Sequence, residues 1–254
     1  MKLNGKVAAA ITILLLLHQY VPSIQAQEWR VDAYGCIAPG VPQVVITRAN
    51  ILVQTGEKVL DEAITEDIDN LDRLFGVQVP VYFWNEKWTR AQFFPYKFRP
   101  LMIADNSDPD MDITGSVFVS IGLIEDEFRQ AKGRTIALPA ILGHEFAHAM
   151  QKSNSFPYPG KWKELHADFM AGWYIAYRER LRLDVKDLMP LLKSFYRKGD
   201  ESDNGFFQVD PHGNSVERIM AVAAGFGYGF AKDEATGLDA YRAGIKYVKF
   251  FGAN

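Results

Sequence analysis

From Ile136 to Met150 every residue is apolar or small except His144, Glu145 and His148, and this stretch limits the chain more than any other feature. A helix apolar on nearly all sides is a buried one, and Pro139 is tolerable in its first turn. Burying two imidazoles and a carboxylate costs several kcal/mol unless they are paired or bind a metal. The three therefore need partners. Their order, His144-Glu145-Phe146-Ala147-His148, is the H-E-x-x-H pattern. Positions i and i+4 share one helix face, so both rings can reach a single ion. Glu145 points off that axis, where it can hold a water rather than the ion. Alone, the pattern also fits a helix with two satisfied core histidines.

A second helical stretch adds to it. Glu164 and Asp168 again stand at i and i+4, and from Leu165 to Tyr177 the polar side chains other than tyrosine and tryptophan are His166 and Asp168. The intervening segment 152–161 holds Ser153, Asn154, Pro157, Pro159 and Gly160, which end one helix and permit a reversal. That reversal would bring Glu164 back towards His148. A catalytic zinc site needs three protein ligands and one open position, and Glu164 completes a His, His, Glu set. The alternative for Glu164 is an exposed first-turn carboxylate favouring the helix dipole. Asp168 lies deeper among apolar residues and suits a carboxylate that accepts the other ring N–H of a ligand histidine. The small residues Ala167, Ala171 and Gly172 are expected on the face that meets the first helix.

Together, His144-Glu145-Phe146-Ala147-His148 and Glu164-Leu165-His166-Ala167-Asp168 resemble the H-E-x-x-H plus E-x-x-A-D pairing of gluzincin-type metallopeptidases. The likeness is greatest to bacterial neutral zinc metallopeptidases, and more distant to the membrane CAAX-processing and heat-shock peptidases. It covers roughly residues 117–225. It implies that His144, His148 and Glu164 hold one Zn²⁺, that Glu145 is the general base, and that Asp168 orients a ligand histidine. Those families also carry a histidine followed by glycine or proline, with arginine six positions after the histidine, matched here by His212-Gly213 and Arg218. His212 is then a candidate donor to the oxyanion, against a plain loop histidine. Arg218 is a candidate to orient that loop, against the duller account of an exposed helix arginine. His166 departs from the pattern, where glutamine is commoner, and a structural or surface role is expected. The implied reaction is metal-assisted peptide hydrolysis, in which zinc lowers the pKa of its water towards about 7 and Glu145 takes the proton.

The rest of the chain supports an α+β, zincin-like expectation, with a small N-terminal strand and helix part and a mostly helical C-terminal half carrying the site. Helical spacing of apolar residues over 57–75, with Gly76 as its stop, predicts an amphipathic helix. Val77 to Trp84 and Ser116 to Ile124 read as strands. The latter suits either an edge strand that aligns extended substrate by β-augmentation or a buried core strand. Further helices are expected over 162–183, 185–198, 214–230 and 238–251, the third opened by an Asn214/Glu217 capping box.

Residues 1–26 have Lys2 and Lys6 ahead of an apolar run from Val7 to Leu17, with Ala26 closing the stretch, which reads as a secretory signal peptide. The run is too short for a retained span, so one exported domain over 27–254 is expected, periplasmic or secreted. The two lysines are the segment's only charges with histidine neutral, so its removal takes the net charge from −3 to −5. An acidic chain without a basic run is a poor nucleic-acid binder; the metallopeptidase resemblance implies a peptide or protein substrate as the partner. Cys36 is the one cysteine, so no internal disulfide can form. It reads as a small buried hydrophobe or an inhibitory ligand. Asp105, Asp108, Asp110 and Asp112 read as a solvated turn or a calcium site, and Phe93, Phe94, Tyr96 and Phe98 as core or pocket lining. Two other functions fit the motifs: a non-catalytic zincin-like binding scaffold, for which Glu145 would be superfluous, and a zinc amidase acting on the cell wall.

Overall fold

The computed structural model describes residues 29–30, 45–46, 51–85, 91–94, 115–130, 136–179, 185–197 and 213–253. The signal segment, Cys36, the aspartates at 105–112, Tyr96, Phe98 and His212 lie outside the described residues. The elements run β1 (Trp29–Arg30), β2 (Val45–Ile46), β3 (Ile51–Leu52), α1 (Lys58–Phe75), β4 (Val81–Trp84), β5 (Ala91–Phe94), β6 (Ser116–Ser120) and α2 (Ile121–Gln130). The rest is helical: α3 (Ala137–Ser153), α4 (Lys161–Arg178), α5 (Val185–Arg197), α6 (Ser215–Ala231) and α7 (Gly237–Phe250). The fold is thus mostly helices with a small mixed sheet, an α+β arrangement.

Local chemistry accounts for the element ends. α1 stops at Gly76, whose φ of 63° is the left-handed conformation that glycine adopts without strain. α6 opens on a capping box in which Glu217 N–H donates to the Asn214 side chain and Asn214 N–H donates to the Glu217 carboxylate. α7 opens on a second such box, between Thr236 and Asp239.

The larger sheet has the order β3-β4-β6-β5, with β4 parallel to β6 and the other neighbours antiparallel. Of the two readings of the strand beginning at Ser116, the buried core strand is the one observed, and the edge strand is corrected. β6 lies inside the sheet and is buried along its whole length, as a strand paired on both sides and covered on both faces must be. It also ends earlier than the apolar run suggests. The Ser120 hydroxyl accepts the Leu123 N–H at 3.1 Å, an N-cap that turns the chain into α2. The edges among the described strands are β3 and β5.

Val117 and Val119 point into the main core with Phe83, Leu142, Phe146 and Trp173, and Phe118 stacks on Trp84 from the other face. α4 is the central helix, packed on α3, α6 and α7. Its crossing with α6 is close: a methyl group at Gly172 would sit 2.0 Å from the Val222 carbonyl oxygen, and one at Gly225 1.8 Å from that of Phe169. Gly172 therefore serves the α6 face and not the approach to α3. There the close contact is Gly143, whose added Cβ would lie 3.5 Å from the Ala171 Cα. Among the described residues no helix is long and apolar enough to cross a membrane.

Candidate metal centre

α3 presents His144 and His148 one turn apart, and the reversal at 154–160 returns the chain so that the first turn of α4 places Glu164 against both. All three side chains are buried, and their ligand atoms form a compact cluster. His144 Nε2 and His148 Nε2 are 3.1 Å apart. Glu164 Oε2 lies 3.3 Å from the first and Oε1 3.4 Å from the second. Two donors each about 2 Å from one ion at a tetrahedral angle stand roughly 3.3 Å apart. The three observed separations bracket that value, so this buried group can hold a metal ion.

The outer nitrogens of both rings are already committed. His144 Nδ1–H donates to Asp168 Oδ1 at 2.8 Å, and His148 Nδ1–H donates to Gln151 Oε1 at 2.8 Å. Each ring therefore turns its Nε2 lone pair inward, the arrangement a metal-ligating histidine needs. Two such lone pairs and two carboxylate oxygens at this range repel one another unless a cation or a proton lies among them. Burial pushes the Glu164 carboxyl up, but a proton carried on the facing nitrogen of His148 or His144 outweighs that and holds it well below the usual carboxylate range, filling the place a cation would take.

Asp168 is also held from the other side. Arg218 on α6 donates to it through two nitrogens, Nε to Oδ2 and Nη2 to Oδ1, both at 2.8 Å. Burial opposes ionisation of Asp168, yet the guanidinium and His144 keep its carboxyl below the ordinary value. Arg218 is 1% exposed and stacks over Phe195, so the exposed-arginine account is overturned. Its charge is what makes a buried Asp168 tolerable. Glu145 is fully buried on the same turn of α3 as His144. The six charged or ionisable side chains Glu145, Glu164, Asp168, Arg218, His144 and His148 carry three carboxylates against one guanidinium.

His166 is not at the surface but wholly buried. Its Nδ1 faces the Gln151 amide nitrogen at 3.0 Å, and its Nε2 donates to the Tyr241 carbonyl at 3.1 Å. Burial drives its pKa down to about 3, so the ring is neutral. It is directed away from the ligand triad and is not a fourth ligand. Gln151 went unassigned in the sequence, although it stands three residues after His148 as the polar end of an apolar run, a spacing that puts the two on one face. Phe195, whose ring is 6.2 Å from that of His144, had no such signal, because α5 reaches the site only through the fold.

Fold and site together define a helix-rich α+β protein with a buried His, His, Glu group able to hold a metal. No family model matches the chain, no curated protein matches it, and no solved structure matches it.

Proposed function

We propose that the protein is a zinc-dependent metallopeptidase of the gluzincin type, exported to a periplasm or beyond, that hydrolyses peptide bonds. The observation that carries this is the convergence of His144 Nε2, His148 Nε2 and the Glu164 carboxylate while each imidazole spends its other nitrogen on a fixed acceptor. Nitrogen and oxygen donors in a three-ligand set favour zinc. When bound, zinc lowers the pKa of water and polarises the scissile carbonyl. Glu145, adjacent in sequence to the first ligand, removes the proton from the attacking water and returns it to the leaving amine. Asp168 and Arg218 hold His144 in its ligating tautomer.

For His212 the support is indirect. The neighbouring Gly213 abuts Leu165, next to Glu164, and Lys161 Nζ bonds Glu217 at 2.8 Å, so the start of α6 is pinned to the start of α4. His212 is our candidate donor to the tetrahedral oxyanion. An extended substrate would pair not with the interior β6 but with an edge, and β5, which packs on α3, is the edge beside the site.

The test is metal content and proteolysis for native protein and Glu145→Gln. We expect about one zinc per chain in both and a loss of hydrolysis of about 10²-fold or more in the variant. A native chain that takes up no zinc ends the reading. Zinc uptake with every peptide left intact favours a binding scaffold or a cell-wall amidase instead. Glu164→Ala should weaken zinc retention by more than the 10 to 100-fold typical of an outer-shell partner.

A further inference from the structure

Two backbone carbonyls decide the orientation of a buried side-chain chain that ends at His148. The Lys163 carbonyl can only accept, so the Gln151 atom 2.7 Å from it is the amide nitrogen. The other Gln151 atom, 2.8 Å from His148 Nδ1, is then the oxygen, which can only accept. His148 must carry a proton on Nδ1, so the nitrogen it can offer to a metal is Nε2. The Tyr241 carbonyl, on α7, dictates the far end in the same way. It accepts from His166 Nε2–H, which leaves His166 Nδ1 to receive the second Gln151 N–H at 3.0 Å. Reversing the Gln151 amide would set its oxygen against both the Lys163 carbonyl and the His166 lone pair.

We propose that Gln151, seated by Lys163 and His166, is the positioning residue that fixes the tautomer and ring orientation of His148, and that through His166 the C-terminal helix α7 supports the metal centre. The inference rests on the triad being a metal site. His144 is oriented by a charged Asp168–Arg218 pair, whereas His148 is oriented by a neutral amide. A carboxylate at position 151 would bury another acid beside Glu164, and an amide supplies the same acceptor without doing so. The close fit of α7 follows: a Cβ at Gly244 would lie 2.9 Å from the His166 ring.

Two measurements test this. Long-range ¹⁵N–¹H correlation spectra of native protein labelled in histidine report which ring nitrogens carry protons. We expect a proton on Nδ1 of His148 and on Nε2 of His166, with and without added zinc. A neutral His148 protonated on Nε2 instead would overturn the proposal, and this needs no variant. Zinc affinity by competition with a chromophoric chelator is the second readout. Gln151→Leu should lose about 10 to 100-fold, while Gln151→Glu, buried and protonated so that its O–H faces the Lys163 carbonyl, keeps the acceptor and should retain more of the affinity and the Nδ1 proton. Leucine binding zinc like the native protein, or both variants losing equally, would reduce Gln151 to a packing role. Failure of the native protein to bind zinc would end the metal reading, whereas the spectra would still decide whether the chain of bonds exists.

Discussion

α4 carries two polar clusters around buried carboxylates, one at each end, and they are built differently. At its C-terminal end Asp67 of α1 accepts from the Tyr174 hydroxyl and from Arg178 Nε, both at 2.6 Å. Arg178 also pairs with Glu179 through Nη1, so two carboxylates share one partly exposed guanidinium. Burial raises the Asp67 carboxyl despite Arg178, and burial with the Asp67 charge raises the Tyr174 hydroxyl, so the phenol keeps its proton. At the N-terminal end Glu164 and Asp168 share the space with Glu145, and Arg218 pairs with Asp168. The C-terminal cluster ends in a guanidinium that is partly open to solvent, whereas the N-terminal cluster is closed and sets two inward imidazole nitrogens against a buried carboxylate. Buried charge on its own marks neither a structural nor a functional site; ligand atoms at metal spacing separate the two.

Three experiments press on that difference. Arg218→Met should have the largest effect, because Asp168 is then buried with no guanidinium. We expect a loss of about 3 kcal/mol or more in urea unfolding and, in the same protein, weaker zinc binding by titration. Arg178→Met should cost less, about 1 to 2 kcal/mol. Asp67 can take up a proton, which its raised pKa already favours, and the Arg178 side chain is partly exposed. Its zinc affinity should match the native value. Equal weakening of zinc binding by the two substitutions would show that the ends of α4 are one coupled unit.

The smallest effect concerns Asp72, near the same end of α1, whose pKa burial raises from 3.8 to about 6 although it accepts the Val79 N–H. Its folded pKa exceeds its unfolded one, so the native state binds the proton more tightly. Stability from this group therefore falls as pH rises from about 4 to about 6, and the deficit persists above that. Asp72→Asn keeps an acceptor for Val79 and should stabilise the fold at pH 7 by about 1 kcal/mol, after discounting for partial exposure. Thermal midpoints at pH 7 and pH 4 check it: the gain should vanish at the lower pH.

Much of the site was legible because its parts are local. His144 and His148, like Glu164 and Asp168, are i and i+4 pairs, and a helix puts such pairs on one face whatever surrounds it. An ionisable residue inside an apolar run also announces that it needs a partner. The misreadings lie where spacing carries no information. Arg218 stands among Glu217, Ile219 and Met220 with no local sign that it is buried, because its partner is 50 positions away. Ser116 to Ile124 reads as one strand because Ile121, Leu123 and Ile124 are strand-formers, yet the Ser120 cap converts them into a helix. Gly172 was assigned to the wrong neighbour because small residues reveal a close approach but not its direction.

The amino-acid order by itself determined the described helices other than α2, the stop at Gly76, the Asn214/Glu217 cap, and the two faces that carry His144, His148, Glu164 and Asp168, since short-range geometry and the cost of burying charge are enough for that. Only the tertiary structure decided that the two faces meet, that Arg218 neutralises Asp168, and that Gln151 and His166 link His148 to α7. Those outcomes depend on which carbonyl or carboxylate the fold brings within 3 Å of a given nitrogen. Contacts between residues 50 to 75 positions apart are settled by packing, not by any period along the chain.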